Sequence, residues 1–326
     1  MSERRLGHCK LCELADFSDP ELRELIRDVF ASAIEEFGDP DFPAGREYRK
    51  HWEVAMTLRA FRTFGALRED AEVLGVGAGH EATIYWLTRH VGRVIATDLY
   101  AEEDAWSETD SGADMLTDPG RYWDSEWNPE RLEVRSMSGL DLQFEDESFD
   151  AIFSSSSIEH FGPFKDVRRS VEEIYRVLRP GGVAALATEF RIEGPGLGLP
   201  GLLRFDEPEL RSLLLDGIWW DPATPLDTSI SEETLSSPVY SPDAVADSKA
   251  GRRSWSQYPH IVLYEGPYRW TSVHVALIKS RLPASEWRRR APKLPPKHTA
   301  RERLAHRAYP IVSRLGKLRQ RLSRSA

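Results

Sequence analysis

The chain has 326 residues, 40% of them hydrophobic, with a formal net charge of -10 and only two cysteines. That length and apolar content suffice for a large buried core, and ten tryptophans and thirteen phenylalanines exclude global disorder. Two cysteines exclude a disulfide framework, and no apolar run approaches the roughly 20 residues needed to span a bilayer.

The opening segment, MSERRLGHCKLCELADF, lacks a continuous apolar stretch of the kind found in secretory signals, so a cytoplasmic address is expected. Cys9 and Cys12 follow His8 as H-C-x-x-C, half of a zinc site that His51 or Glu13 would have to complete. Two free thiols and no metal is the simpler reading. Residues 18–37 carry a capping Ser18 or Asp19, then Pro20, then apolar residues at 22, 25, 26, 29 and 30, which predicts one helix. After the breaker GDPDFPAG a second helix is expected over 47–64. Its start, GREYRKHWEVAM, gathers cationic and aromatic residues suited to an acceptor pocket, with Tyr48, Lys50 and Trp52 as candidates.

From 71 to about 190, short apolar segments alternate with helical ones: AEVLGVGA, EATIYWLTRHV, RVIATDL, RLEVRSM, FDAIFSSS, VRRSVEEIYRVLR and GVAALATEF. Strands that are apolar without alternation are those covered on both faces, so this order predicts a doubly wound, mostly parallel sheet. Two insertions interrupt it. The one at about 100–131 carries Trp106, Tyr122, Trp123 and Trp127, and long loops of this kind often act as lids. The one at 221–259 is rich in Ser, Pro and Asp and reads as a surface excursion. HIVLYEGPYRWTSVHVALIKS then predicts an antiparallel hairpin at the sheet edge.

Residues 281–326 hold 14 Lys and Arg against two acids, about +12, which leaves the rest of the chain at about -22. Apolar residues recur among these cations, a pattern suited to weak contact with an anionic membrane surface. The acidic body disfavours broad contact with nucleic acid.

The chemistry concentrates at EVLGVGAGHEATIYWL. Gly75, Gly77 and Gly79 end a strand and feed a helix, so backbone N–H groups approach a ligand there and the helix start favours negative charge. Asp98 ends the next strand, where an acid meets ribose hydroxyls. Together they indicate a ligand containing adenosine. Read from Gly77, GAGHEA also fits the dinucleotide pattern G-x-G-x-x-A.

Downstream, MSGLDLQFEDESFDAIFSSSSIEHF and EEIYRVLRPGGVAALATEF resemble the class I S-adenosylmethionine-dependent methyltransferases, especially the type-11-like group, over residues 46–190. The resemblance implies a seven-stranded Rossmann-like fold ending in an antiparallel hairpin. It divides the chain into a helical cover (1–70), a core (71–280) and the basic tail (281–326). It implies S-adenosylmethionine as cofactor, held by Gly75, Gly77, Gly79, Glu81, Asp98, Leu99, Met137, Ser138, Gly139, Ser154 and Ser155. Two positions depart from the family: Gly75 stands where it usually has an acid, and Glu81 where it has a third glycine. The acid has in effect moved from strand end to helix start. His160 and Glu159 are the candidate catalytic pair, with His160 suited to remove a hydroxyl proton near neutrality. The expected function is methyl transfer to a hydroxyl of a small molecule or glycan, envelope- or lipid-linked if the tail meets the inner membrane face. The altered glycine motif leaves a second reading open: a cofactor-binding regulatory partner without catalysis.

Overall fold

The computed structural model describes residues 6–100, 113–196, 203–216, 220–249 and 255–280. Trp106 and the basic segment 281–326 lie outside the described residues.

Helix α1 (Pro20–Val29) is capped by Asp19, whose carboxylate accepts from Leu22 N–H at 2.9 Å, with Pro20 at the first helical position. It buries Leu22, Leu25, Ile26 and Val29. The single helix expected over 18–37 is instead two. Phe30 leaves helical geometry (φ -105°, ψ 36°) and packs its ring, tilted, against His51 at 4.0 Å, and α2 (Ala31–Phe37) follows. Helix α3 (Arg49–Thr63) is buried along nearly its whole length, including Arg49, Glu53 and Arg59. It is wedged between α1 and the sheet.

Among the described residues the sheet has ten strands: β1 (Lys10–Leu11), β2 (Glu72–Val76), β3 (Arg93–Asp98), β4 (Leu132–Ser136), β5 (Phe149–Ser155), β6 (Leu178–Glu193), β7 (Trp220–Pro222), β8 (Val239–Tyr240), β9 (Leu263–Glu265) and β10 (Tyr268–Lys279). The order β4-β3-β2-β5-β6 is parallel, and β10 adds antiparallel to β6. Along β2, Val73 joins the core on one face while Leu74 and Val76 join the core on the other. Two-sided burial explains the absence of alternation in the sequence. Helix α4 (Ala82–Leu87) packs with the core that contains α1 and α3, and α5 (Phe164–Val177) covers the other face through Val167, Val171 and Ile174.

The C-terminal hairpin, β9 and β10 around Gly266, is not at the sheet edge as expected. The outer side of β10 is completed in turn by β9, β1 and β7. Val273, Val275, Ala276 and Leu277 of β10 are all buried, and a strand so enclosed must also pair both of its edges. The excursion at 221–259 contributes structure as well: β8 pairs with β9, and Val239 and Ala244 pack with Leu263 and Trp270. In the other insertion, Trp123 stacks on Tyr85 at 5.3 Å and Trp127 meets it edge-on at 5.4 Å. These two tryptophans pack the loop down onto the core.

Cys9 and Cys12 are buried in different cores, on opposite faces of the sheet. The Cys9 thiol donates to Ala276 O at 3.4 Å, and burial raises both thiols above their ordinary range. Glu13 accepts from the Ser231 and Thr234 hydroxyls. Among the described residues no cluster suits a metal ion.

Candidate functional site

Strand order reverses between β3 and β5 on either side of β2, and such sheets bind ligands at the crevice beyond the strand ends. A cleft of about 610 Å³ lies there, between the turn after β2, the ends of β3 and β5, and the N-terminal end of α3.

Gly77 (φ 63°) and Gly79 (φ 50°) take the left-handed conformation that side chains resist. A Cβ on Gly77 would stand 2.6 Å from the Cβ of Ser157. Asp98 fixes the turn: Oδ2 accepts from Gly79 N–H at 2.9 Å and Oδ1 from Leu99 N–H at 2.7 Å. Burial raises the Asp98 pKa, and those two N–H groups oppose the rise. The carboxylate keeps lone pairs for further donors.

Of the residues singled out from the sequence, Tyr48, Lys50, Gly77, Gly79, Glu81, Asp98, Ser155 and His160 line this cleft. The others sit elsewhere. Gly75 is packed under the ring of Phe153, which a Cβ would approach to 2.6 Å. Met137 belongs to the core, and its N–H donates to Asp98 O at 2.8 Å. Ser138 closes a local turn by accepting from Leu140 N–H. Gly139 lies against Phe161, a cleft residue, where a Cβ would stand 3.0 Å from the ring. The Ser154 hydroxyl is buried without a hydrogen bond. Trp52 is wholly buried and donates from its indole N–H to Asp16 at 2.8 Å, so it braces α3 rather than facing the cleft. Glu159 points inward and accepts from the Thr188 hydroxyl at 2.7 Å. Burial and then the charge of Glu189 push it well above the usual carboxylate range. The pair at 159–160 is therefore split, with His160 at the cleft and Glu159 behind it.

His51, read from the sequence as a possible zinc ligand and as one of the residues gathered in GREYRKHWEVAM, also lines the cleft, and Ser156 and Ser157 line it without having been singled out. His51 is clamped by Phe30 at 4.0 Å and Tyr48 at 5.0 Å, and burial lowers its pKa to about 3, so the ring is neutral. Ser156 and Ser157 follow the end of β5, and Ser156 has the left-handed φ of 50°. Ser157 donates to Gly77 O, tying β5 to the turn. The run Ser154–Ser157 was visible, but which of its members reach the cleft depends on where the strand ends.

Beneath the cleft lies a buried ionic network. Arg49 meets Glu189 at 2.8 Å and Glu53 at 3.4 Å, and Lys50 meets Glu53 at 3.0 Å. Ser156 and Ser272 also donate to Glu53. Burial works against ionisation of Glu189, but Arg49, Lys50 and Arg204 outweigh it and hold its pKa below the ordinary value. Buried charges persist only when paired in this way. The i,i+3 and i,i+4 spacing of Lys50 and Arg49 to Glu53 was the available signal for the network.

Residues 74–186 match a family model described as a methyltransferase domain. Over these residues the chain carries a methyltransferase domain, of the class I S-adenosylmethionine-dependent kind. A curated relative, the erythromycin 3''-O-methyltransferase of Saccharopolyspora erythraea, is 32% identical over 122 residues, which is 37% of this chain and 35% of that protein. The match thus spans about a third of the relative's length. Among solved structures, the Burkholderia thailandensis 1,6-didemethyltoxoflavin-N1-methyltransferase with bound 1,6-didemethyltoxoflavin and S-adenosylhomocysteine is similar at 19% identity and a TM-score of 0.42, covering 80% of this chain and 89% of that one. The YcgJ protein of Bacillus subtilis is similar at 17% identity and a TM-score of 0.42, covering 68% and 98%. At such scores these structural likenesses add no weight to the domain match.

The residues present fit the cofactor of this class. The turn after β2 has backbone where side chains would block approach, Asp98 stands at the end of β3, and Glu81 Oε1 and the Ser155 hydroxyl are buried polar atoms of the cleft wall.

Proposed function

We propose that this protein transfers a methyl group from S-adenosylmethionine to a hydroxyl of a small molecule or glycan. The bound cofactor supplies a methyl group already activated on a sulfonium. The chain's task is to hold an acceptor in line with it and to accept the hydroxyl proton. The observation that carries the reading is the meeting, in one cleft, of the glycine turn, Asp98 and His160.

Phe30, Tyr48, His51 and Phe161 give the remaining wall an aromatic lining suited to a ring or sugar face. Lys50, the lysine of this wall, is paired with Glu53. His160 is the proposed base, and neutral His51 is placed to orient the acceptor. The name of the curated relative, an O-methyltransferase of erythromycin, agrees with a hydroxyl acceptor. His160→Gln should lower kcat by about 10²-fold or more with little change in cofactor affinity, the scale of a lost general base. An unchanged kcat would remove His160 from this role.

The alternative of a cofactor-binding partner without catalysis rested on the altered glycine motif. Support for the enzyme reading is that a histidine and an acceptor-sized space adjoin the turn. For the basic segment 281–326 we propose weak contact with anionic membranes. The full-length protein should co-sediment with anionic liposomes, and a chain lacking 290–326 should not. No helix among the described residues is long and apolar enough to cross a membrane.

A further inference from the structure

Gly75 leaves no room for the acid that this class places at the end of its first parallel strand. A Cβ there would stand 2.6 Å from Cζ of Phe153 and 2.9 Å from Cβ of Ala78. A carboxylate for the amino-acid end of the cofactor must come from another element. Glu81, at the start of α4, lines the cleft, and its Oε1 is buried without a hydrogen bond. Beside it the Ser155 hydroxyl, on a residue only 9% exposed, and the Thr83 hydroxyl face this carboxyl and have no other partner. Buried polar atoms without partners are rare and call for a ligand or a function. Glu53 is different: it already accepts from Arg49, Lys50, Ser156 and Ser272. Lys50 lines the same cleft with its side chain 30% exposed.

One end of the cleft therefore offers an unsatisfied carboxyl group next to a cation, the complement of an α-amino acid. We infer, on the basis of the methyltransferase reading, that Glu81 has taken over recognition of the cofactor's ammonium group, that Lys50 faces its carboxylate, and that Glu81 releases a proton when the cofactor binds.

The groups that face Glu81 set its charge. From α3 come Lys50 and Glu53, with Arg49 and Glu189 behind them; from β5 comes Ser155; from α4 comes Thr83; His80, Asp98 and His160 line the same cleft. Burial and then Glu53 push the Glu81 carboxyl up to about 8, against the pull of Thr83, Lys50 and Ser155. At pH 7 the empty site keeps it protonated. An ammonium placed against it favours the carboxylate, and the proton passes to the buffer.

The test is calorimetry of the full-length protein at pH 7 in buffers of different ionisation enthalpy. S-adenosylhomocysteine is one ligand. The other is 5′-methylthioadenosine, which lacks the amino-acid end. The wild type should release close to one proton with the first and none with the second. Glu81→Gln should release none, bind S-adenosylhomocysteine about tenfold or more weakly, and bind 5′-methylthioadenosine as the wild type does. Glu159→Gln should keep the proton release. The inference is overturned if the wild type binds S-adenosylhomocysteine without releasing a proton. It is also overturned if Glu81→Gln weakens both ligands by the same factor, or if Glu159→Gln alone removes the release. No binding of either ligand to the wild type would overturn the methyltransferase reading along with it, so the two failures are distinct.

Discussion

Gly77 is the position where the cofactor turn tolerates least. Its φ is 63°, and a Cβ would meet Ser157 at 2.6 Å. Gly77→Ala should therefore weaken binding of S-adenosylhomocysteine strongly, because the turn or the end of β5 must shift, whereas Gly79, whose Cβ position meets only Asp98 Oδ2 at 4.0 Å, should suffer from alanine only through its positive φ and so tolerate it better. Paired titrations of the two variants check this order. Asp98→Ala removes the acceptor for Gly79 and Leu99 N–H as well as the acid proposed to meet the ribose, and should cost roughly 1–3 kcal/mol of cofactor binding by calorimetry. These residues were legible in the sequence because their chemistry is local: a positive φ needs glycine, and a strand-end acid is marked by position. Glu53 and Ser157 were not singled out, because what makes them site residues is the docking of α3 and β5 against the turn. Trp52 misled for the converse reason. An aromatic beside cations resembles a binding surface until Asp16 is seen to accept its indole N–H.

At the scale of elements, α3 serves both as cover and as part of the site. Its outer turns pack Leu58 and Phe61 into the core, while its first turns bring Tyr48, Lys50 and His51 to the cleft and bury Arg49 against Glu189. Arg49→Met would leave Glu189 and Glu53 buried with less compensation, and should destabilise the fold by about 3–5 kcal/mol in denaturant titration. The parallel strands could be read from sequence because two-sided burial leaves an unbroken apolar run. The completed edge of β10 could not. Besides the hairpin partner β9, it depends on two short segments from distant parts of the chain, β1 and β7, each too brief to carry a period of its own. The break at Phe30 was hidden likewise, since the apolar spacing continues through it and the ring's contact with His51 is made only in the folded chain.

Across the whole molecule, the carboxyl groups beneath the cleft couple folding to pH. Glu159 has a folded pKa well above its ordinary 4.5, because of burial and then the charge of Glu189. The folded state thus holds a proton that the unfolded state gives up as pH rises past about 4.5, and the stability that depends on it is present below that pH and lost as pH rises through the folded value. Scanning calorimetry should show the wild type losing more Tm than Glu159→Gln between pH 5 and pH 8. The central claim, methyl transfer to a hydroxyl, is tested most directly by incubating the full-length protein and cell extract with methyl-labelled S-adenosylmethionine and following the label. The account predicts that it enters a small molecule or glycan as a methyl ether, and that Asp98→Ala abolishes the transfer. Label found in protein or nucleic acid, or tight cofactor binding with no transfer to any fraction, would contradict it.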